Sequence, residues 1–201
     1  QKHLDRLNEI YQSLPPEPPP TLEPQLPPPP GGAARRAQTA VPADELIALN
    51  DALLAMPDGF RVNRKLSRVL ERRRDIFADP NAASVDWATA EALSFGSILA
   101  DGTPIRLTGE DVERGTFSHR HALLRDEATG AIHIPLQHIP TAAAAFEVRN
   151  SPLSEAATIG FEYGYNIQAP ERLVIWEAQY GDFINTAQAV IDEFVTSGRA
   201  K

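Results

Sequence analysis

The chain has 201 residues, 42% of them apolar, enough for one domain with a real core plus appendages. A formal charge of -8 leaves no broad basic field for nucleic acid or an anionic membrane, and the lack of cysteine excludes disulfides, thiolate catalysis and cysteine zinc sites. The lack of cysteine fits a reducing cytoplasm; no apolar run approaches the roughly 20 residues that span a bilayer, and no secretory leader pattern opens the chain.

Leu4, Leu7 and Tyr11 stand at helical spacing from the first residue, Gln1. The chain closes at Lys201, after an amphipathic segment and Gly198, which reads as a helix C-cap. Both ends therefore read as internal to a longer protein. Residues 15–30 are dominated by proline, which cannot donate to a helix or a sheet ladder. They read as a surface loop or spacer in preference to a ligand for a proline-binding domain.

Leu46, Leu49, Leu53 and Met56 predict a helix over 44–56, ended by the turn Pro57-Asp58-Gly59. A second helix is expected from Asn63 to Phe77. Its Arg72-Arg73-Arg74 run offers an anion grip, but Glu71 and Asp75 flank it and a solvated face is the preferred reading. Asp86 caps a third helix through Trp87, Leu93 and Ile98 to about Ala100.

From residue 104 the pattern alternates strands with helices. Ile105–Leu107, Ile132–Leu136, Phe146–Val148 and Leu173–Trp176 read as strands, and Ser154–Tyr165 as a helix. The final helix sets Ala187, Val190, Ile191, Phe194 and Val195 at i, i+3, i+4, i+7 and i+8, which predicts a clean buried stripe. The fold class is α/β, a mostly parallel sheet covered by helices, with a helical N-terminal lead-in.

In such sheets ligands gather beyond the carboxyl ends of the strands. Three segments would converge there: Gly109-Glu110-Asp111, Leu153-Ser154-Glu155 and the run from Glu177 to Phe183. The plainer alternative makes Ser154 and Glu155 residues favoured merely by a helix N-terminus. His119 and His121 share a predicted strand face, but H-x-H alone falls short of a zinc site, and no metal ligand is assigned. Phe183 follows Gly181-Asp182 where a diphosphate–magnesium motif wants glycine. Serine-hydrolase, P-loop and dinucleotide motifs are missing from the sequence.

The stretches RLTGEDVERGTFSHRHALL, IPLQHI, NSPLSEAATIGFEYGY and LVIWEAQYGDFINTAQAVIDEFVTSGRAK together resemble the decarboxylating first component of 2-oxoglutarate dehydrogenase, a thiamine-diphosphate enzyme. The likeness is dense over 84–201, looser over 44–83 and weak over the proline-rich segment. It implies a transketolase-like pyrimidine-binding domain over 102–201, truncated on its C-terminal side, a helical lead-in over 44–101, and a helix end plus spacer over 1–43. It also implies a homodimer, a dihydrolipoyl succinyltransferase partner, 2-oxoglutarate as substrate, a place in the tricarboxylic acid cycle, and Mg2+ held by a diphosphate-binding domain outside this chain. The fragment alone would be inactive.

On this resemblance Glu155 matches the glutamate that hydrogen-bonds N1′ of the aminopyrimidine and favours the imino tautomer that activates the thiazolium. Phe183 matches the aromatic that stacks on that ring, Gln179 a pocket position, and Leu153 a backbone contact beside it. Glu110 matches a position linked to proton movement between paired sites. His121 is a weaker substrate candidate, with a structural role preferred. Ala156, Gly160 and Gly164 thin one helix face, for a twin helix across the dimer or for tight packing on the helix's own sheet. Rival readings are the same scaffold acting on 2-oxoadipate, a non-oxidative decarboxylase or carboligase, and a non-catalytic interaction module.

Overall fold

The computed structural model describes residues 2–13, 38–79, 82 and 84–197; the proline-rich segment and Gly198 lie outside them. The chain forms two units, Gln1–Ala40 and Val41–Lys201. In the first, α1 (Lys2–Ser13) is an exposed helix with an Arg6–Glu9 ion pair at 3.0 Å.

The second unit opens with α2 (Ala43–Leu54), α3 (Arg64–Arg72) and α4 (Trp87–Ala100). Two of these start on side-chain caps. Asn63 accepts the Lys65 N–H at 2.9 Å, and Asp86 accepts the Thr89 N–H at 2.8 Å. Strands β1 (Ile105–Gly109), β4 (Phe146–Asn150) and β5 (Leu173–Glu177) form a parallel sheet in the order β4-β1-β5. Gly109 is level with both Asn150 and Glu177, so the three strands end on one line.

Alternation along β1 sorts its side chains to two faces. Ile105 and Leu107, with Phe146 and Val148 of β4, pack against Leu93, Phe95 and Leu99 of α4 and Leu49 and Leu53 of α2. The opposite face carries Arg106, which donates Nε–H and Nη2–H to Glu162 of α5 (Glu155–Gln168) at 2.7 and 2.8 Å and Nη1–H to Glu147 at 2.6 Å. Its guanidinium also lies 4.7 Å from the Tyr165 ring centroid. The sheet thus has an apolar face and a charged face, each covered by helix.

A small antiparallel pair, β2 (Leu124–Arg125) and β3 (Ile132–His133), stands apart from the main sheet. Asp126 ties its turn: its carboxylate accepts N–H groups from Arg61 at 2.6 Å, Thr129 at 2.7 Å and Ala128 at 2.8 Å. These donors, the Arg61 N–H first, hold its pKa down at about 2.

Five expectations are corrected. Helix α3 ends at Arg72, and residues 73–77 form turns; Arg72 and Arg74 are exposed, but Arg73 turns inward. The strand at Ile132 stops at His133, because Pro135 starts a 3-10 turn over Pro135–Gln137. Residues 119–121 form no strand: Ser118 and His121 take left-handed backbone geometry, with φ of 53° and 49°. The final helix is broken into a 3-10 segment (Gly181–Ala187), a short α6 (Gln188–Val190) and a π segment (Ile191–Thr196). Of its stripe only Ala187 is buried, while Phe194 and Val195 are 53% and 44% exposed. The reason is positional: β5 is an edge strand whose five residues are all half-buried, so no deeper layer receives the stripe among the described residues. The Thr196 hydroxyl bonds back to the Ile191 carbonyl at 3.1 Å, five residues away, alongside this widened turn. Finally, Gly160 and Gly164 of α5 have open space where a Cβ would stand, so they do not serve tight packing on their own sheet.

Candidate active site at the carboxyl edge of the sheet

The three segments anticipated at the strand ends meet there. Ser151 N–H donates to the Gly109 carbonyl at 2.7 Å, which ties the β4–α5 loop to the end of β1. The Ser151 and Thr158 hydroxyls bond at 3.1 Å, and Ser154 caps α5 by accepting the Ala157 N–H at 3.4 Å. At Gly109 an added Cβ would collide with the Glu177 carbonyl oxygen, so β1 and β5 approach closely at this edge only because glycine is there.

Glu155 follows the cap. Its side chain does not trail into solvent beside the helix end. Oε1 accepts the Gln179 backbone N–H at 2.8 Å and Oε2 accepts the Trp176 indole N–H at 3.0 Å. Each oxygen holds one donor and keeps room for another. Gln179 is itself fixed, since the Thr116 hydroxyl donates to its carbonyl and meets its side-chain oxygen, both at 3.1 Å.

Arg120 anchors the strand end behind this loop. Its buried guanidinium donates Nε–H and Nη2–H to Glu91 at 2.5 and 2.9 Å, and Nη1–H to Glu177 at 3.1 Å; Nη2–H also reaches Glu177. Burial pulls the Arg120 pKa down, but the two carboxylates outweigh it and the net shift is upward. Gly115, at a φ of 83°, leaves space for the His119 ring in the same loop.

Apolar surface adjoins the fixed carboxylate. Phe183 is 41% exposed and meets Tyr180 edge-on at 5.6 Å, and Tyr180 meets Phe117 at 6.1 Å. Leu153 is exposed, and its N–H donates to the Ser151 hydroxyl at 3.2 Å, so any contact its backbone offers falls to the carbonyl. Glu110 is exposed directly after Gly109, with no hydrogen bond to Glu155. His121 is half-buried and lines a cavity with Arg73 and Arg120 instead of meeting Glu155; burial lowers its pKa. Among the described residues no cluster of three His, Cys, Asp or Glu side chains could hold a metal ion.

A family described as the transketolase, pyrimidine binding domain, matches residues 83–201. The chain belongs to that family. The same stretch carries the parallel sheet, the Glu155 helix and the β5 loop, and the transketolase-type α/β fold expected from the sequence is the one observed. Over 199 residues the chain is 48% identical to a protein of Bacillus cereus (strain B4264) named 2-oxoglutarate dehydrogenase E1 component, covering 98% of this chain and 21% of the relative. Over 163 residues it is 55% identical to a protein of the same name from Bacillus anthracis (strain A0248), covering 81% of this chain and 17% of the relative. The chain thus spans about a fifth of the length of these curated relatives.

Sequence reasoning missed Trp176, Thr116 and Arg120 in this transketolase-type domain. For Trp176 a signal existed: period-two alternation sets Trp176 and Val174 on the α5 side of β5, the side from which Glu155 approaches. Thr116 and Arg120 sit in an irregular loop whose path no periodicity encodes.

Proposed function

We propose that this chain is the pyrimidine-binding domain of a 2-oxoglutarate dehydrogenase first component. In the full-length protein it would take part in oxidative decarboxylation of 2-oxoglutarate with succinyl transfer to the lipoyl group of a dihydrolipoyl succinyltransferase, in the tricarboxylic acid cycle of the cytoplasm. The observation that carries this reading is the carboxylate of Glu155, pinned by the Trp176 and Gln179 N–H groups with spare acceptor capacity at the sheet edge.

The residues present fit a thiamine aminopyrimidine. A fixed carboxylate suits a ring nitrogen with which it can share a proton, and the exposed Phe183 beside the Gln179 loop suits a flat heteroaromatic face. When bound, the cofactor supplies a thiazolium nucleophile and an electron sink for loss of carbon dioxide. Glu155 holds the proton at the ring nitrogen, and Trp176 and Gln179 fix which way its oxygens point. Thr116 and Arg120 keep the Gln179 loop in place behind it. Leu153 contributes its carbonyl, and Gln179 lines the pocket. Glu110, exposed at the end of β1, would be the residue that relays protons toward a second site. His121 lies on the cavity side of Arg120, which supports its structural role over substrate contact.

Mg2+ and the cofactor's diphosphate would be held by a domain outside this chain. A homodimer is supported by the open Gly160–Gly164 face of α5, which lets a second helix approach closely. The relatives' names speak for 2-oxoglutarate, and no observation favours 2-oxoadipate or a purely structural module.

The test is Glu155→Gln in the full-length protein, assayed with 2-oxoglutarate and a lipoyl acceptor. The substitution keeps the size and removes the shared proton, so kcat should fall by about 10²–10⁴-fold with an unchanged thermal midpoint. Turnover within twofold of the parent would refute the assignment.

A further inference from the structure

Three arginines of this domain turn inward, and they can be compared atom for atom. Arg106 grips Glu162, and Arg120 grips Glu91, through the same edge of the guanidinium, Nε–H and Nη2–H together. At Arg73 those same two atoms are buried and have no hydrogen-bond partner among the described residues. A fork of this shape matches the oxygens of a carboxylate or phosphate, and a buried donor left empty is costly.

The backbone that launches Arg73 is fixed. Asn50 of α2, 1% exposed, donates its amide N–H to the Arg73 carbonyl at 2.9 Å. Arg73 lines a cavity of about 220 Å³ between the end of α3 and the start of α4, together with Arg72, Asp86, His119, Arg120 and His121. The single acid in that group is already engaged: Asp86 accepts the Thr89 N–H as the α4 cap, and it acts on Arg73 through its charge without a hydrogen bond to the fork. Arg120 is spent on Glu91 and Glu177. Burial lowers the Arg73 pKa, and the Asp86 charge opposes it only in part. The volume is several times that of a water, about 30 Å³, and below the roughly 300 Å³ at which sites for larger ligands begin.

We infer that this cavity binds a small oxyanion, a carboxylate or phosphate compound: the Nε–H and Nη2–H fork of Arg73, closed off from solvent in this structure, turns toward the ligand and holds it bidentately. The site is separate from the Glu155 edge and does not depend on the cofactor reading. Arg120 links the two places, lining the cavity while holding Glu177, two residues before Gln179.

The test uses the full-length protein in anion-free buffer, with inorganic phosphate and malonate as probes in separate titrations. At least one should bind saturably and raise the thermal midpoint; the one that does identifies the ligand class. Arg73→Met should abolish that binding, and Arg73→Lys, which keeps the charge and loses the fork, should weaken it at least tenfold. Arg74→Met, an exposed neighbour, and Glu155→Gln should leave it within twofold. Without anion, Arg73→Met should match or exceed the parent's thermal midpoint, since it removes an unpaired buried charge. Three results would each overturn the inference: no saturable binding of either probe, binding that survives Arg73→Met, or a lower midpoint for Arg73→Met without anion, which would reveal a structural partner.

Discussion

The charged face of the sheet and its carboxyl edge treat their ionised groups differently. On the face, Arg106 spends its guanidinium on Glu162 and Glu147 under the Tyr165 ring, and its pKa is raised, mainly by the hydrogen bonds to Glu162. At the edge, Glu155 holds only one donor per oxygen and borders exposed aromatic surface. A saturated pair resists change and serves the fold. A fixed group with capacity to spare is ready for a ligand, and its neighbours determine which ligand.

That contrast predicts opposite outcomes for substitutions a few residues apart. The largest effect on stability belongs to the saturated side. Arg106→Met strands Glu162, which is 3% exposed, and should cost about 3–5 kcal/mol in chemical denaturation of the full-length protein. Adding Glu162→Leu should recover most of that loss, because a matched apolar pair replaces the ions without leaving a buried charge. If the single substitution were harmless, the division between saturated and spare groups would fail.

A smaller effect is expected at the edge. Phe183→Ala should weaken thiamine diphosphate binding roughly three- to tenfold, the worth of one aromatic contact, with folding unaffected. Equal affinity in parent and variant would remove Phe183 from the site.

The smallest effect lies far from both. His133 packs 4.6 Å from His138, between ring centroids, and contacts the Ala55 carbonyl at 3.3 Å. Burial, and then the His138 charge, lower its pKa below the ordinary 6.5. Folding therefore favours the neutral ring, so its contribution is complete above about pH 6.5 and declines as pH falls toward the folded-state value. Thermal midpoints at pH 7.5 and pH 5 should drop less in His133→Phe than in the parent, and an identical drop would exclude this source.

Much of this arrangement was legible in the sequence. Alternating apolar runs gave the parallel sheet, and Ser154-Glu155 marked a helix start at the correct edge. What escaped depends on register and on backbone detail. Arg106 and Glu162 are 56 positions apart, and only the pairing of β1 with α5 brings them together. Arg73 looked like one of three solvated arginines because nothing in a charge run says where a helix will stop, and stopping at Arg72 is what turns the next side chain inward. The stripe from Ala187 to Val195 has helical spacing, but spacing cannot say whether a further layer exists to cover it. In each case the missing information was tertiary.

The most direct measurement is hydrogen–deuterium exchange at C2 of thiamine diphosphate bound to the full-length protein, comparing the parent with Glu155→Gln under conditions where both are saturated with cofactor. Slowing by at least a hundredfold in the variant, at unchanged occupancy, is the predicted result. Equal exchange rates would contradict the assignment of the proton-sharing role to Glu155.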